Sequence, residues 1–321
     1  MKQILVSFSN FEKNCPRAYR LLQEQGFSIR LSQQAAPYWT YEQYCGVIRE
    51  VDALIAGLDT LDERIFSMAP RLRIVARMGV GFDGVDLEAA RRRGIYVTTT
   101  RGGNAVSVAE QTVGMMLAVY RNLAGLDTAL RRGQWVRYAG HELYGKTVGL
   151  VGFGDIGKAV AQRLGGFGVR LLACRGSGKP APEAAALGVA MTDLPALLRE
   201  SDVVSLHLPG TEQNAGLFGE ATFAAMKPGS VLINTARGIL VDSRALLAAV
   251  RSGKLAGAAV DVYRPEPPGP EEPLLQDPRI LCTPHSASET KEAYARCGDT
   301  IAGQILDVFS GRTPENWMNP W

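Results

Sequence analysis

From one end of this 321-residue chain to the other, short apolar runs rich in β-branched residues alternate with stretches of helical period. Parallel strands need a crossover between them, and a helix is the usual one, so this alternation directs the chain to an α/β class: doubly wound parallel sheets with helices on both faces. In the first hundred residues strands are expected at Ile4 to Ser7, Ala53 to Ala56, Ile74 to Arg77 and Tyr96 to Thr98. Helices are expected near Cys15 to Gln25, Asp62 to Ser67 and Leu87 to Arg93. A second series starts at Gly145 and runs from strand Thr147 to Val151 through strand Ile280 to Thr283, a complete doubly wound unit by itself. The length exceeds what one hydrophobic core usually fills, so two domains are expected. Ala105 to Leu130 reads as one long helix with Val108, Thr112, Met115, Met116 and Val119 near one face and no Pro to break it. The last helix, Thr290 to Phe309, is expected to return to the N-terminal domain.

Bulk properties narrow the function classes. Hydrophobic residues make up 46% and charged residues 21% of the chain, an ordinary globular balance. The 35 Lys and Arg stand against 32 Asp and Glu with no long basic run, which argues against nucleic acid as a partner. No apolar stretch approaches the roughly 20 residues that cross a bilayer, so no membrane association is expected. Five cysteines without a Cys-x-x-Cys spacing suggest neither a disulfide framework nor a metal site, and fit a cytoplasmic location.

The segment Val151-Gly152-Phe153-Gly154-Asp155-Ile156-Gly157 follows an apolar strand and opens an amphipathic helix. In that context Gly152 permits the tight turn, Gly154 lets backbone approach a pyrophosphate, and Gly157 lets helix and strand pack closely. The helix N-terminus would receive the pyrophosphate. An NAD-binding unit would normally end its second strand in an acid that hydrogen-bonds the ribose hydroxyls. Here that strand runs into Cys174 and Arg175, followed by Ser177 and Lys179. A guanidinium suits a 2′-phosphate that a carboxylate would repel, so NADP(H) is favoured over NAD(H).

Only His141, His207 and His285 can supply an imidazole acid or base. His285 ends a strand, where ligands collect in open α/β sheets; His207 also ends a strand, and His141 lies in an irregular aromatic stretch. Two further strand ends carry polar groups, Asn234-Thr235-Ala236-Arg237-Gly238 and Asp261 through Glu266. An Arg can clamp a carboxylate through paired hydrogen bonds, and a Glu beside His fixes its tautomer.

These segments, together with Arg77 to Asp86, Gly102-Gly103-Asn104, Gly145 to Gly157 and Thr283-Pro284-His285, resemble the D-isomer-specific 2-hydroxyacid dehydrogenases over nearly the whole chain. The resemblance implies a Rossmann cofactor domain, 101–286, inserted into a flavodoxin-like substrate domain formed by 1–100 and 287–321. It implies reversible hydride transfer between NADP(H) or NAD(H) and a small 2-hydroxy or 2-oxo acid. Arg237 would bind the substrate carboxylate, His285 would exchange the proton, and Glu266 would hold His285. Gly152, Gly154, Asp155, Ile156, Gly157, Arg175, Ser177, Leu208, Thr235, Ala236 and Asp261 would touch cofactor, Asp261 at the nicotinamide carboxamide. Gly57, Val80 and Gly81 would touch substrate, with no metal. A homodimer through Leu123 to Tyr144 is implied as well. Phosphoglycerate-specific members tend to carry an Arg-Ser pair after the strand matching Asp52 to Ile55, where this chain has Ala56-Gly57-Leu58, so glyoxylate, hydroxypyruvate or an apolar 2-oxo acid is the better expectation. The alternative is a dinucleotide-sensing, corepressor-like binding protein of the same fold.

Overall fold

A computed structural model describes residues 1–32, 39–176 and 181–321. The chain divides into two compact units, one formed by Met1–Asn104 with Ser288–Trp321 and the other by Ala105–Ala287.

The first unit is built on β1 (Lys2–Val6), β2 (Phe27–Leu31), β3 (Ala53–Ala56), β4 (Ile74–Arg77) and β5 (Tyr96–Thr98), all parallel, in the order β2-β1-β3-β4-β5. This is the flavodoxin-like order. The central strands β3 and β4 are buried at every position, which is why they read as apolar runs, broken only by Arg77 at the end of β4. β2 was not legible in the sequence: it is an edge strand with Ser28 and Arg30 exposed, and its apolar pattern is too short to stand out. The C-terminal helix Lys291–Phe309 starts where the Thr290 side chain accepts from the Ala293 N–H. Its Ile301, Ala302, Ile305 and Val308 join Ile4, Val6, Ile55 and Ile74 in one core. Past it, Asn319 accepts from Val97 N–H at 2.9 Å and donates to Ile95 O at 2.9 Å. The tail thus covers the polar edge beside β5.

The second unit carries β6 (Thr147–Val151), β7 (Arg170–Cys174), β8 (Val189–Met191), β9 (Val203–Leu206), β10 (Ser230–Asn234), β11 (Leu255–Val260) and β12 (Ile280–Cys282). All pair in parallel, in the order β12-β11-β10-β9-β6-β7-β8. The order reverses between β6 and β9, which opens the crevice where doubly wound sheets bind ligands. One face packs Leu206, Leu232, Val260 and Phe218, and the other Val148, Leu150, Ile233 and Met116. The single helix expected over Ala105 to Leu130 is instead two, Ala105–Arg121 and Leu123–Arg131. Asn122 breaks it at φ 49°, a left-handed conformation that Asn tolerates better than most residues and that hydrophobic period does not reveal. No residue of Leu123–Arg131 is buried within the chain.

Candidate active site

The glycine turn lies at the reversal point, between β6 and the helix Asp155–Leu164. Gly152 sits at φ 102°, and a Cβ there would run into the carbonyl of His207 at the end of β9. At Gly157 a Cβ would lie 2.5 Å from the Gly152 carbonyl oxygen, so that glycine closes helix onto turn. Around Gly154 nothing lies within 4 Å of the added position. The three glycines therefore do different things: two allow packing, and the middle one presents bare backbone to open space beside a helix N-terminus. That arrangement fits a dinucleotide pyrophosphate. Asp155 and Ile156 form the first helical turn, and Leu208 packs half-buried on the core beneath.

Arg175 follows β7, but its guanidinium turns inward. Its Nε and Nη2 donate to the Phe153 carbonyl at 2.9 and 2.5 Å, and Nη2 also donates to Glu183 Oε1 at 2.8 Å. Ser177 and Lys179, expected beside it, lie outside the described residues.

Three adjacent strands, β10, β11 and β12, carry Arg237, Glu266 and His285 beyond their C-terminal ends. After β10, the Asn234 side chain is 1% exposed; it accepts from Ala236 N–H at 3.0 Å and donates to Arg237 O at 3.0 Å. Asn234 thereby fixes the backbone that carries Arg237. The following Gly238 is required because a Cβ would collide with the Tyr263 backbone. Thr235, expected at the cofactor, has its hydroxyl 2.9 Å from that of Thr112 and is 7% exposed, so its side chain ties the turn to the helix Ala105–Arg121.

Beyond β11 and β12, Glu266 and His285 meet: Nδ1 of His285 lies 2.7 Å from Glu266 Oε2. Burial pushes the Glu266 carboxyl up, but the His285 hydrogen bond and charge, the Tyr263 N–H and nearby Arg237 outweigh it and hold the group below its ordinary range. An ionised carboxylate only accepts, so Nδ1 must carry the proton and donate. That leaves Nε2 as the nitrogen available for proton exchange.

Asp261 has a role that its sequence context does not disclose. Completely buried, its carboxylate accepts from Thr283 Oγ1 and from the N–H groups of Ser286 at 2.9 Å and Ala287 at 2.9 Å, while its carbonyl accepts from His285 N–H at 2.7 Å. His285 is held at φ 51°, a strained backbone region for a non-glycine residue. Asp261 is thus the anchor of the His285 turn; the carboxamide contact expected of it would have to share a carboxylate already engaged three times. Both other histidines have different surroundings. His141 is exposed in its loop, and His207 holds its Nε2 3.0 Å from Ser205 Oγ, with burial pushing it down to about 4. An imidazole that is neutral at pH 7 has no imidazolium proton to give as a general acid.

In the first unit, Gly57, expected at the substrate, has its N–H donating to Asp59 Oδ2 at 2.9 Å. Asp59 is completely buried and also receives the Trp39 N–H and the Ser7 hydroxyl, a polar cluster absent from the sequence reading. Val80 and Gly81 are half-exposed in the loop after β4, where Arg77 Nε donates to Gly81 O at 3.1 Å. Among the described residues no group of His, Cys, Asp or Glu is arranged to hold a metal ion, and no helix is long and apolar enough to cross a membrane.

Residues 113–287 match the family model described as D-isomer specific 2-hydroxyacid dehydrogenase, NAD binding domain. The chain is 39% identical over 279 residues to a D-3-phosphoglycerate dehydrogenase of Archaeoglobus fulgidus, a match that covers 85% of this chain and 53% of that protein. It therefore spans about half the length of that relative. A glyoxylate reductase of Korarchaeum cryptofilum is 38% identical over 279 residues, 85% of this chain and 84% of its own. The crystal structure of a D-lactate dehydrogenase from Aquifex aeolicus, complexed with NAD and lactic acid, superimposes with a TM-score of 0.85 at 25% identity and covers 100% of both chains. None of these likenesses supports a non-catalytic, corepressor-like protein. A family model that covers more than half of the chain, with a relative 38% identical over 85% of it, shows that the chain belongs to the D-isomer specific 2-hydroxyacid dehydrogenases, oxidoreductases that act on 2-hydroxy and 2-oxo acids.

Proposed function

We propose that this chain is a reductase of small 2-oxo acids, glyoxylate or hydroxypyruvate among them, with NADP(H) preferred and NAD(H) accepted. The observation that carries this reading is the His285–Glu266 pair, 2.7 Å apart beside the Arg237 turn on the dinucleotide-binding sheet. When bound, the nicotinamide supplies the hydride to the substrate C2. Arg237 binds the substrate carboxylate and polarises the 2-oxo group, as a guanidinium is suited to do. His285, its Nδ1 proton held by Glu266, delivers a proton from Nε2 to the C2 oxygen; in the reverse direction it takes that proton back. Asp261 and Asn234 position the two turns. Val80 and Gly81 supply backbone contacts to the substrate, and Leu58, 41% exposed beside Gly57, favours small or apolar substituents over a phosphate. The relatives named glyoxylate reductase support the same substrate class. The NADP(H) preference rests on the missing acid at the end of β7 and on Arg175 in its place.

Oxidation of NADPH and NADH, measured separately against a panel of 2-oxo acids, tests this. We expect turnover with glyoxylate or hydroxypyruvate and NADPH used at least as well as NADH. No turnover with any member of the panel overturns the reaction, and an NADH preference above about tenfold, about 1.4 kcal/mol, overturns the cofactor assignment.

The same reading includes a homodimer in the cytoplasm. Leu130 (59% exposed), Trp135 (85%) and Val136 line one surface hollow, and Tyr138 and Tyr144 (75%) are exposed in the same segment; clustered apolar exposure of this kind is what a partner surface covers. A second copy supplies the matching surface in an isologous pair. Light scattering should give twice the 34.6 kDa chain mass; a monomer at micromolar concentration would exclude the dimer. Five unpaired thiols, three of them buried, fit a reducing compartment.

A further inference from the structure

The end of β7 lacks the acid of an NAD-binding unit, yet a carboxylate stands there. Glu183, eight residues beyond Arg175, places Oε1 2.8 Å from Arg175 Nη2 and 3.7 Å from Lys158 Nζ on the helix Asp155–Leu164. Lys158 Nζ is also 3.5 Å from Asp155. Arg175 in turn spans from Glu183 to the Phe153 carbonyl inside the glycine turn, and its guanidinium lies 5.6 Å from the centre of the Phe153 ring. The side chain of Arg175 is only 19% exposed, so it is packed into this arrangement, whereas that of Glu183 is 36% exposed and faces water. The group that a 2′-phosphate would seek is therefore already satisfied by an anion of this chain.

We infer that Glu183 is a specificity-determining residue for the dinucleotide, an internal anion that competes with the ribose 2′-phosphate for Arg175 and so blunts discrimination between NADP(H) and NAD(H). This rests on the dinucleotide reading given above. A 2′-phosphate entering beside Arg175 meets the Glu183 carboxylate as a like charge and must take over the guanidinium bond. A 2′-hydroxyl carries no charge: it leaves the Arg175–Glu183 pair intact and finds in Glu183 the acceptor that the end of β7 does not provide. With Glu183 neutral, the phosphate no longer competes with that carboxylate for the guanidinium and Lys158, which keep their contacts to the Phe153 carbonyl and to Asp155, and the hydroxyl loses its anionic acceptor. The two forms are driven apart, in favour of the phosphorylated one.

The test compares 2′,5′-ADP with 5′-AMP, fragments that differ only in the 2′-phosphate, by isothermal titration calorimetry on the intact protein and on Glu183→Gln. We expect the ratio of the two dissociation constants to move about tenfold toward 2′,5′-ADP, as removal of one close like charge implies, with most of the change in the phosphorylated ligand. Glu183→Ala removes the same charge without an amide that can bond Arg175, and should move the ratio in the same direction. The ratio of NADPH to NADH turnover should follow. An unchanged ratio in both variants, or equal changes for both fragments, overturns the competition while leaving the dinucleotide site in place. A wild-type protein that binds neither NADPH nor NADH overturns the dinucleotide reading itself, and this inference with it.

Discussion

His285→Gln should lower the turnover number by about 10³-fold, within the range that general acid catalysis contributes, while NADPH affinity stays within about twofold. The reasoning is geometric. Glutamine preserves much of the side-chain volume and can still bond Glu266, but it has no titratable nitrogen to present where Nε2 stands. Since the Nδ1 side of the ring is occupied by Glu266 at 2.7 Å, no second nitrogen of His285 is available, and His207, with its Nε2 beside Ser205, is neutral at pH 7 and cannot substitute. Stopped-flow or steady-state NADPH oxidation gives the first number and nicotinamide fluorescence titration the second. A variant that keeps turnover within tenfold of wild type removes His285 from the proton step; one that loses cofactor affinity as well shows that the turn anchored by Asp261 has collapsed.

Gly152→Ala is expected to have a large effect on a different observable: dinucleotide affinity should fall by up to about 100-fold, because backbone strain of up to about 3 kcal/mol is added at a position that cannot relax. At φ 102° an alanine is strained, and its Cβ would meet the His207 carbonyl, whose own chain is tied by the His207 N–H to Val151 O at 2.7 Å. Either β6 and β9 separate at their ends or the turn gives up the shape that presents Gly154. Fluorescence titration with NADPH reads the affinity, and circular dichroism separates a local distortion from unfolding. Affinity within threefold of wild type would mean that the pyrophosphate does not use this turn. Gly154→Ala offers the contrast, since its added methyl meets no protein atom and would obstruct only an approaching ligand.

The legible part of this protein is the part set by near neighbours in the chain. The buried runs Ala53–Ala56 and Val231–Ile233 have no polar position to disguise them, and the glycines of the turn follow directly on a strand. By contrast β2 and β8 lie at sheet edges: β2 interrupts its apolar residues with exposed Ser28 and Arg30, and β8 is three residues long with two of them exposed, too short to register as a strand. The break at Asn122 is a single backbone choice inside a pattern that stays helical on either side of it. Among candidate site residues, Arg237, Glu266 and His285 are legible because their types are chemically suited and each follows a strand. Asn234 shows itself as a positioning residue only through its bonds to Ala236 and Arg237, and Asp261 only through its bonds to Thr283, Ser286 and Ala287.

By itself the sequence determined the class of fold, the place of the dinucleotide turn and the residue types able to do the chemistry. Periodicity, a φ that only glycine accepts and the pKa range of a side chain are local properties, decided within a few residues. Only the tertiary structure decided the order β12-β11-β10, which makes neighbours of three strand ends and so joins His285 to Glu266 across 19 residues. It also decided the partner of Arg175. A guanidinium at the end of β7 reads as a phosphate clamp in the sequence, but a long flexible side chain bonds whichever acceptors the fold brings within reach, here the Phe153 carbonyl and the Glu183 carboxylate.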